Sequence, residues 1–206
     1  MGRRTRFLHP DFCVVDASGR RWYVFELMTR VDGGRNLLRP SALVNERFLG
    51  ALGKAQQAIG FRLHAISVMP NHYGMVVSVE RIEQMSDLAE YLNGNASREL
   101  KRVQRYGGDR FWGRRASIIQ IAPSALQGRL QYHLSNSVKE GLVARLRDYP
   151  GVHTYHEIVG GRPLVGEWVD RTGLCRARAR RPDTPEADFV ETVRVRHHPL
   201  PGMNWG

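Results

Sequence analysis

The sequence predicts an α+β fold with a central antiparallel sheet and helices packed on one of its faces. Three observations predict it. Runs rich in aromatic and β-branched residues alternate with runs whose apolar residues recur at helical spacing. Two of the strand-like runs are separated only by Pro70-Asn71, a turn dipeptide, and so read as a hairpin. The segment order is strand, helix, strand, strand, helix, strand, helix, with no internal repeat.

The elements follow in order. Arg21 to Arg30 (RWYVFELMTR) is a strand that Asp32-Gly33-Gly34 breaks. Ser41 is placed to cap a helix over Ala42–Ile59, with Val44, Phe48, Leu52, Ala55 and Ile59 on its buried face and Gly60 as its stop. Phe61 to Met69 and Tyr73 to Val79 form the hairpin; closed at Pro70-Asn71, it is read with Ile66 facing Gly74 and His64 diagonally across. Ser86 is the candidate cap of a second helix with Leu88, Leu92, Ala96, Leu100 and Val103 inward, ended by Gly107-Gly108. A strand at Ser117 to Ile121 precedes a third helix, started by Pro123-Ser124 and ended by Gly141. After Pro150 the patterning fades, and the Arg- and Pro-rich stretch Arg176 to Pro185 reads as a linker or mobile arm. The chain thus divides into a domain over 1–155 and a basic C-terminal extension over 156–206.

Composition narrows the function classes. The 206 residues carry 31 Lys and Arg against 20 Asp and Glu, a net charge of +11. That excess favours a polyanion, because each neutralised phosphate releases condensed counterions. Two cysteines, Cys13 and Cys175, exclude a disulfide framework and a four-thiolate zinc site. No stretch approaches the roughly 20 apolar residues of a membrane span. The basic start, Met1 to Arg6, is not followed by a signal-peptide core, so the reading is a reducing, cytoplasmic protein without a membrane partner.

Two places carry chemistry. In Val68-Met69-Pro70-Asn71-His72-Tyr73-Gly74, a histidine follows a tight turn and opens a strand. Alternate strand residues share a face, so a His-x-His here would turn two imidazoles toward one metal; this chain has His72, with Gly74 at the second place. In the third helix, Leu126, Leu130, Leu134 and Val138 mark a stripe, and Tyr132, Asn136 and Lys139 form a second strip read as exposed. A phenol there can attack a phosphodiester, an amide can bind a metal, and a cation can hold a phosphate. The middle helix adds Arg98, Lys101, Arg102 and Arg105, which with Arg110, Arg114 and Arg115 suggest phosphate contacts; Trp112 is a candidate stacking platform or a core residue.

These residues carry a resemblance. The Val-Met-Pro-Asn-His turn before a strand, and the run from Tyr132 through Asn136 and Lys139 to Val143, resemble the REP-associated tyrosine transposases and their insertion-sequence cousins, single-tyrosine members of the HUH class. Asn95, Arg98, the Gly-x-x-Phe-Trp-x-x-Arg run ending at Arg115, and Asp148-Tyr149-Pro150 are similar too, so the likeness spans about Tyr23 to Tyr155. It implies an HUH-nuclease fold, a ferredoxin-like or RRM-like sandwich. It also implies a divalent cation (Mg or Mn) held by His72 and Asn136, and attack by Tyr132 on single-stranded DNA beside a hairpin. Such relatives act as monomers or homodimers.

Gly74 is the departure. Loss of even an outer-shell metal contact costs about 10–100-fold in affinity or activity. Water, another residue such as His64, or loss of cleavage altogether are the open outcomes. Two function classes therefore stand: a metal-assisted single-strand DNA nickase and strand transferase, and a descendant that grips hairpin DNA, or RNA, without cutting. Gly74→His is expected on this reading to complete a three-ligand pocket and raise cleavage. His153, His156, His197 and His198 lack zinc spacing and read as structural or exposed.

Overall fold

The computed structural model describes residues 9–200; the basic start Met1 to Arg6 and residues 201–206 lie outside them. Strands β1 (Cys13–Val15), β2 (Arg21–Arg30), β3 (Arg62–Met69), β4 (His72–Val79) and β5 (Ser117–Gln120) form one antiparallel sheet in the order β1-β2-β4-β3. β1 and β5 share an edge of β2: Cys13 pairs with Tyr23 near its start, and Ser117 pairs with Met28 near its end.

Helices cover both faces of this sheet, where the sequence suggests one. Phe25 and Leu27 of β2 and Tyr73, Met75 and Val77 of β4 pack against α1 (Ala42–Ile59) and α2 (Gln84–Val103). The alternate residues Val24 and Val76, with Ala65 of β3, pack against Leu126 and Leu130 of α3 (Leu126–Lys139). β3 and β4 are buried along almost their whole length, which is why they read as continuous apolar runs.

The first helix forms as its caps dictate. Ser41 accepts the Val44 amide at 3.2 Å, and Gly60 turns left-handed at φ 75°. The second helix begins two residues before Ser86, the residue suggested as its cap, and ends at Val103; the chain reverses at Arg105 (φ 48°), before Gly107. The hairpin register also differs. Pro70 and Asn71 form a two-residue loop with Met69 opposite His72, so Ser67, not Ile66, faces Gly74. A slip of one residue exchanges the two faces of a strand.

Beyond Pro150 the chain adds α4 (Tyr155–Gly160), β6 (Leu164–Val169), α5 (Arg171–Arg180) and β7 (Val190–Val195). β6 and β7 pair as a second, two-stranded sheet that packs on α1, with Leu164 and Val195 in the main core. Much of the stretch read as a linker is helix α5, capped by Asp170. Arg171 at its start makes a two-pronged bond to the buried carboxylate of Glu99 on α2, both contacts at 2.8 Å, and also binds Glu186. The composition of an arm thus belongs to a segment held by paired charges.

Candidate functional site

α3 lies on the sheet face that carries the even-numbered residues of β4. Its inward positions are Leu126, Leu130, His133, Asn136 and Ser137, a 3.6-residue repeat. The four-residue stripe proposed from sequence drifts about 40° per step, because four residues turn 400°. By Val138 the drift has carried the stripe to the surface (36% exposed), while His133 and Asn136 have turned inside. Asn136 is therefore buried at 2% exposure, not exposed as the sequence suggests. Tyr132 remains partly exposed, with the Lys139 ammonium 5.3 Å from its ring centre.

His133, unremarked in the sequence, occupies the centre of this face. Its ring is completely buried and lies directly over Gly74. A Cβ at Gly74 would stand 2.5 Å from its Cε1 and 3.0 Å from its Nδ1. The Nε2 of His133 bonds Glu26 Oε1 at 2.9 Å, and Arg129 approaches the other carboxylate oxygen at 3.6 Å. The bond to His133 holds the Glu26 carboxyl below its ordinary range despite burial. Two signals in the sequence point to this pair. Glu26 is a single acid inside an apolar strand, and His133 continues the Leu126–Leu130 spacing.

His72 stands on the same strand face, two residues before Gly74, with Nδ1 bonded to Asn71 Oδ1 at 2.7 Å. Burial and the positive Arg30, its partner across the strands, push its imidazole down; Glu140, just past α3, opposes the shift, and His133 adds to it. The C-terminal end of α3 therefore lies near His72.

His64 does not reach this site. It sits at a bulge in β3, and its ring is held at both nitrogens: Nδ1 donates to the His198 carbonyl at 2.9 Å, and Nε2 accepts from Ser78 Oγ at 2.8 Å. Ser78 is four residues along β4 from Gly74. His153 is likewise structural, donating to the His133 carbonyl and accepting the Tyr155 amide. Burial pushes His64 down to about 3 and His153 down to about 4. Both stay neutral in the fold at pH values where the unfolded chain takes up protons. Their stabilisation is complete above the ordinary imidazole value near 6.5 and is lost as pH falls toward 4 and 3. At about 1.4 kcal/mol per unit, each costs about 2 kcal/mol by pH 5. Urea midpoints at pH 7 and pH 5 measure this, and a flat response would refute it.

The basic residues divide between two places. Arg98, Lys101, Arg102 and Arg105 belong to α2 and its end, on the opposite side of the sheet from α3; the Lys101 ammonium bonds the Asp109 carbonyl. Arg114 and Arg115 are exposed and follow Gly113, whose amide donates to the carbonyl of Arg30, the residue paired with His72. Trp112 takes the core role. It packs edge-on against Tyr73 and Phe111, and its indole N–H donates to the Asn93 carbonyl at 2.8 Å.

Among the described residues, no three His, Cys, Asp or Glu side chains group as a metal cage. A cation here would have to draw on an amide. Asn136 Oδ1 is buried without a hydrogen-bond partner, as are His133 Nδ1, Ser137 Oγ and Ser67 Oγ, the last belonging to the residue opposite Gly74. Buried polar atoms are rarely left so: His133 Nδ1 lies beside Gly74, Ser67 pairs with Gly74 across the strands, and Asn136 and Ser137 follow His133 among the buried positions of α3. The donors present thus fit a divalent cation bound by two imidazoles or one, an amide oxygen and water.

The family model described as "Transposase IS200 like" matches residues 26–127, from Glu26 through the His72 turn to the first turn of α3. Tyr132 and Asn136 lie beyond the matched stretch. Among solved structures, a REP-associated tyrosine transposase bound to a REP hairpin superposes with a TM-score of 0.56 at 17% identity, over 80% of this chain and 90% of that one. A candidate transposase from Deinococcus radiodurans R1 gives 0.43 at 14% identity, over 66% of this chain and 97% of that one. No curated protein matches in sequence. With the family match running across the sheet and its His72 turn, in a chain folded as the first of these structures is, this protein belongs to the IS200-like transposases, the single-tyrosine branch of the HUH class.

Proposed function

We propose that the protein binds single-stranded DNA carrying a hairpin and cuts it beside the hairpin by attack of Tyr132 on a phosphodiester. One observation carries this reading: α3 sets Tyr132, Asn136 and Lys139 across the sheet face that holds His72. In the step proposed, the Tyr132 oxygen bonds to phosphorus and the bond from phosphorus to the 3′ oxygen breaks. The phenol gives its proton to solvent, the departing 3′ oxygen takes one up and leaves as a 3′ hydroxyl, and the strand downstream of the cut stays on the enzyme through its 5′ phosphate as a phosphotyrosine. A divalent cation held by His72 and Asn136 would supply Lewis-acid polarisation of the phosphate. Lys139 holds phosphate charge beside the phenol. Arg114 and Arg115 are the basic residues placed to meet a backbone at the His72 end. Arg98, Lys101, Arg102 and Arg105 would meet only DNA that also passes the other side of the sheet. The hairpin ligand is taken from the REP hairpin bound by the structural neighbour.

A second reading, a protein that grips hairpins without cutting, is favoured by the His133–Glu26 pair standing over Gly74. One experiment decides between them. The full chain is mixed with a labelled hairpin oligonucleotide bearing single-stranded flanks and Mn²⁺. The first reading expects tight binding, a labelled adduct on a denaturing gel, and complete loss of the adduct in Tyr132→Phe. Binding without an adduct selects the second reading. Affinity should fall by orders of magnitude between about 50 and 200 mM salt. A flat salt response, or equal affinity for a plain duplex, refutes both.

A further inference from the structure

We infer that the second imidazole of the site has moved from the strand to the helix: His133 takes the role that Gly74 cannot, and His72, His133 and Asn136 together bind the divalent cation, with Glu26 orienting His133. This rests on the reading above and deepens it.

The first argument is spatial. The ring of His133 occupies the space directly over Gly74, and it does so because Gly74 has no Cβ. Any larger residue there would meet the ring at 2.5 Å. The loss of a side chain on the strand and the presence of an imidazole on the helix are therefore one coupled feature. The position is also right along the helix. α3 packs Leu130 on Val76 and His133 on Gly74, and then presents Asn136 one turn further.

The second argument is protonation. A carboxylate oxygen can only accept, so Nε2 of His133 carries the proton it donates to Glu26. If Nδ1 were protonated as well, a buried donor would be left with no acceptor. The neutral form instead leaves Nδ1 with a free lone pair, buried and unbonded. Asn71 does the same for His72. Its amide oxygen, Oδ1, accepts from Nδ1–H at 2.7 Å, leaving Nε2 of His72 with the lone pair. A histidine whose second nitrogen is held by an oxygen acceptor is the arrangement that prepares an imidazole for a metal. Asn136 Oδ1, also buried and unbonded, adds the oxygen donor. A structural plug made of the His133–Glu26 pair explains the Nε2 bond but neither free atom.

The test uses the full chain and Mn²⁺ alone, without DNA. Mn²⁺ is paramagnetic and accepts nitrogen ligands more readily than Mg²⁺. The ring Cε1–H signals of His72 and His133 should broaden first as substoichiometric Mn²⁺ is added, while those of His9 and His64 persist. Binding followed by loss of the free-ion EPR signal should weaken at least tenfold in His133→Ala and about 10–100-fold in Glu26→Gln. The exchange Gly74→His with His133→Ala should recover affinity. The NMR measurement needs no variant, so misfolding of His133→Ala cannot hide the answer. Broadening of His72 but not His133, with unchanged affinity in His133→Ala, overturns the inference and leaves the function reading standing. Mn²⁺ binding indifferent to His72→Ala and Asn136→Ala overturns both. No Mn²⁺ binding at millimolar concentration overturns the inference and leaves hairpin binding alone.

Discussion

Gly74→His is expected to destabilise the protein and not to raise cleavage of a hairpin oligonucleotide. On the strand alone, position 74 shares the face of His72 and invites a second imidazole. In the folded chain that place is taken. The new Cβ would stand 2.5 Å from Cε1 of a ring that is fully buried, so His133 must leave. Its departure strips Glu26, 3% exposed, of its shortest hydrogen bond and leaves only the 3.6 Å contact to Arg129. Leaving a buried hydrogen-bonding group without its partner costs about 1–3 kcal/mol, and more where the group is charged. Glu26 keeps the Arg129 contact in part, which puts the expectation near the upper end of that range. Urea unfolding of Gly74→His beside Gly74→His with His133→Ala measures it. The double variant should be the more stable of the two, because the helix then offers a methyl where the ring stood. A single variant as stable as the natural chain would show that His133 can yield freely, and that the ring over Gly74 is not tightly held.

The second large effect lies far from the site, at Gly50 on α1. This helix backbone meets β6 so closely that a Cβ on Gly50 would stand 1.9 Å from the Glu167 carbonyl oxygen, and one on Gly166 would stand 2.3 Å from the Gly50 amide nitrogen. Both neighbours are backbone, which cannot swing aside as a side chain can. Gly50→Ala must therefore push the β6–β7 hairpin off α1, exposing Leu164 and Val195. Overpacking costs about 1–3 kcal/mol and occasionally more, and contacts this close to backbone put Gly50→Ala at the top of that range. Gly94→Ala is the control. Its Cβ meets nothing within 4 Å on a helix, so it should gain about 0.5–1 kcal/mol. Urea midpoints compare the two, and limited proteolysis of residues 161–200 reports the undocking. A neutral Gly50→Ala would mean that the hairpin is not integral to the fold.

Much of the frame was legible because its signals are local. Ser41, the helical spacing from Val44 to Ile59, and Gly60 determine α1 within one segment. The alternation around Pro70-Asn71 determines the hairpin, and the His72 turn with the Tyr132–Asn136 spacing determines which residues are candidates for chemistry. What depends on residues distant in the chain was not legible. The weakly patterned β6–β7 hairpin becomes strand only by pairing across about twenty residues and packing on α1, and α5 is held by Glu99 from another helix. The same holds at the site. That Gly74 makes room for a helix imidazole, and that Asn136 faces inward, follow from α3 lying on the second face of the sheet. A strand pattern buried on both sides states only that something covers each face. Sequence alone thus pointed to a family and marked the histidine absent at Gly74; only the packing of α3 against β4 and Glu26 decided that the His133 ring fills the space over that glycine, because close approach between segments is a property of the folded chain.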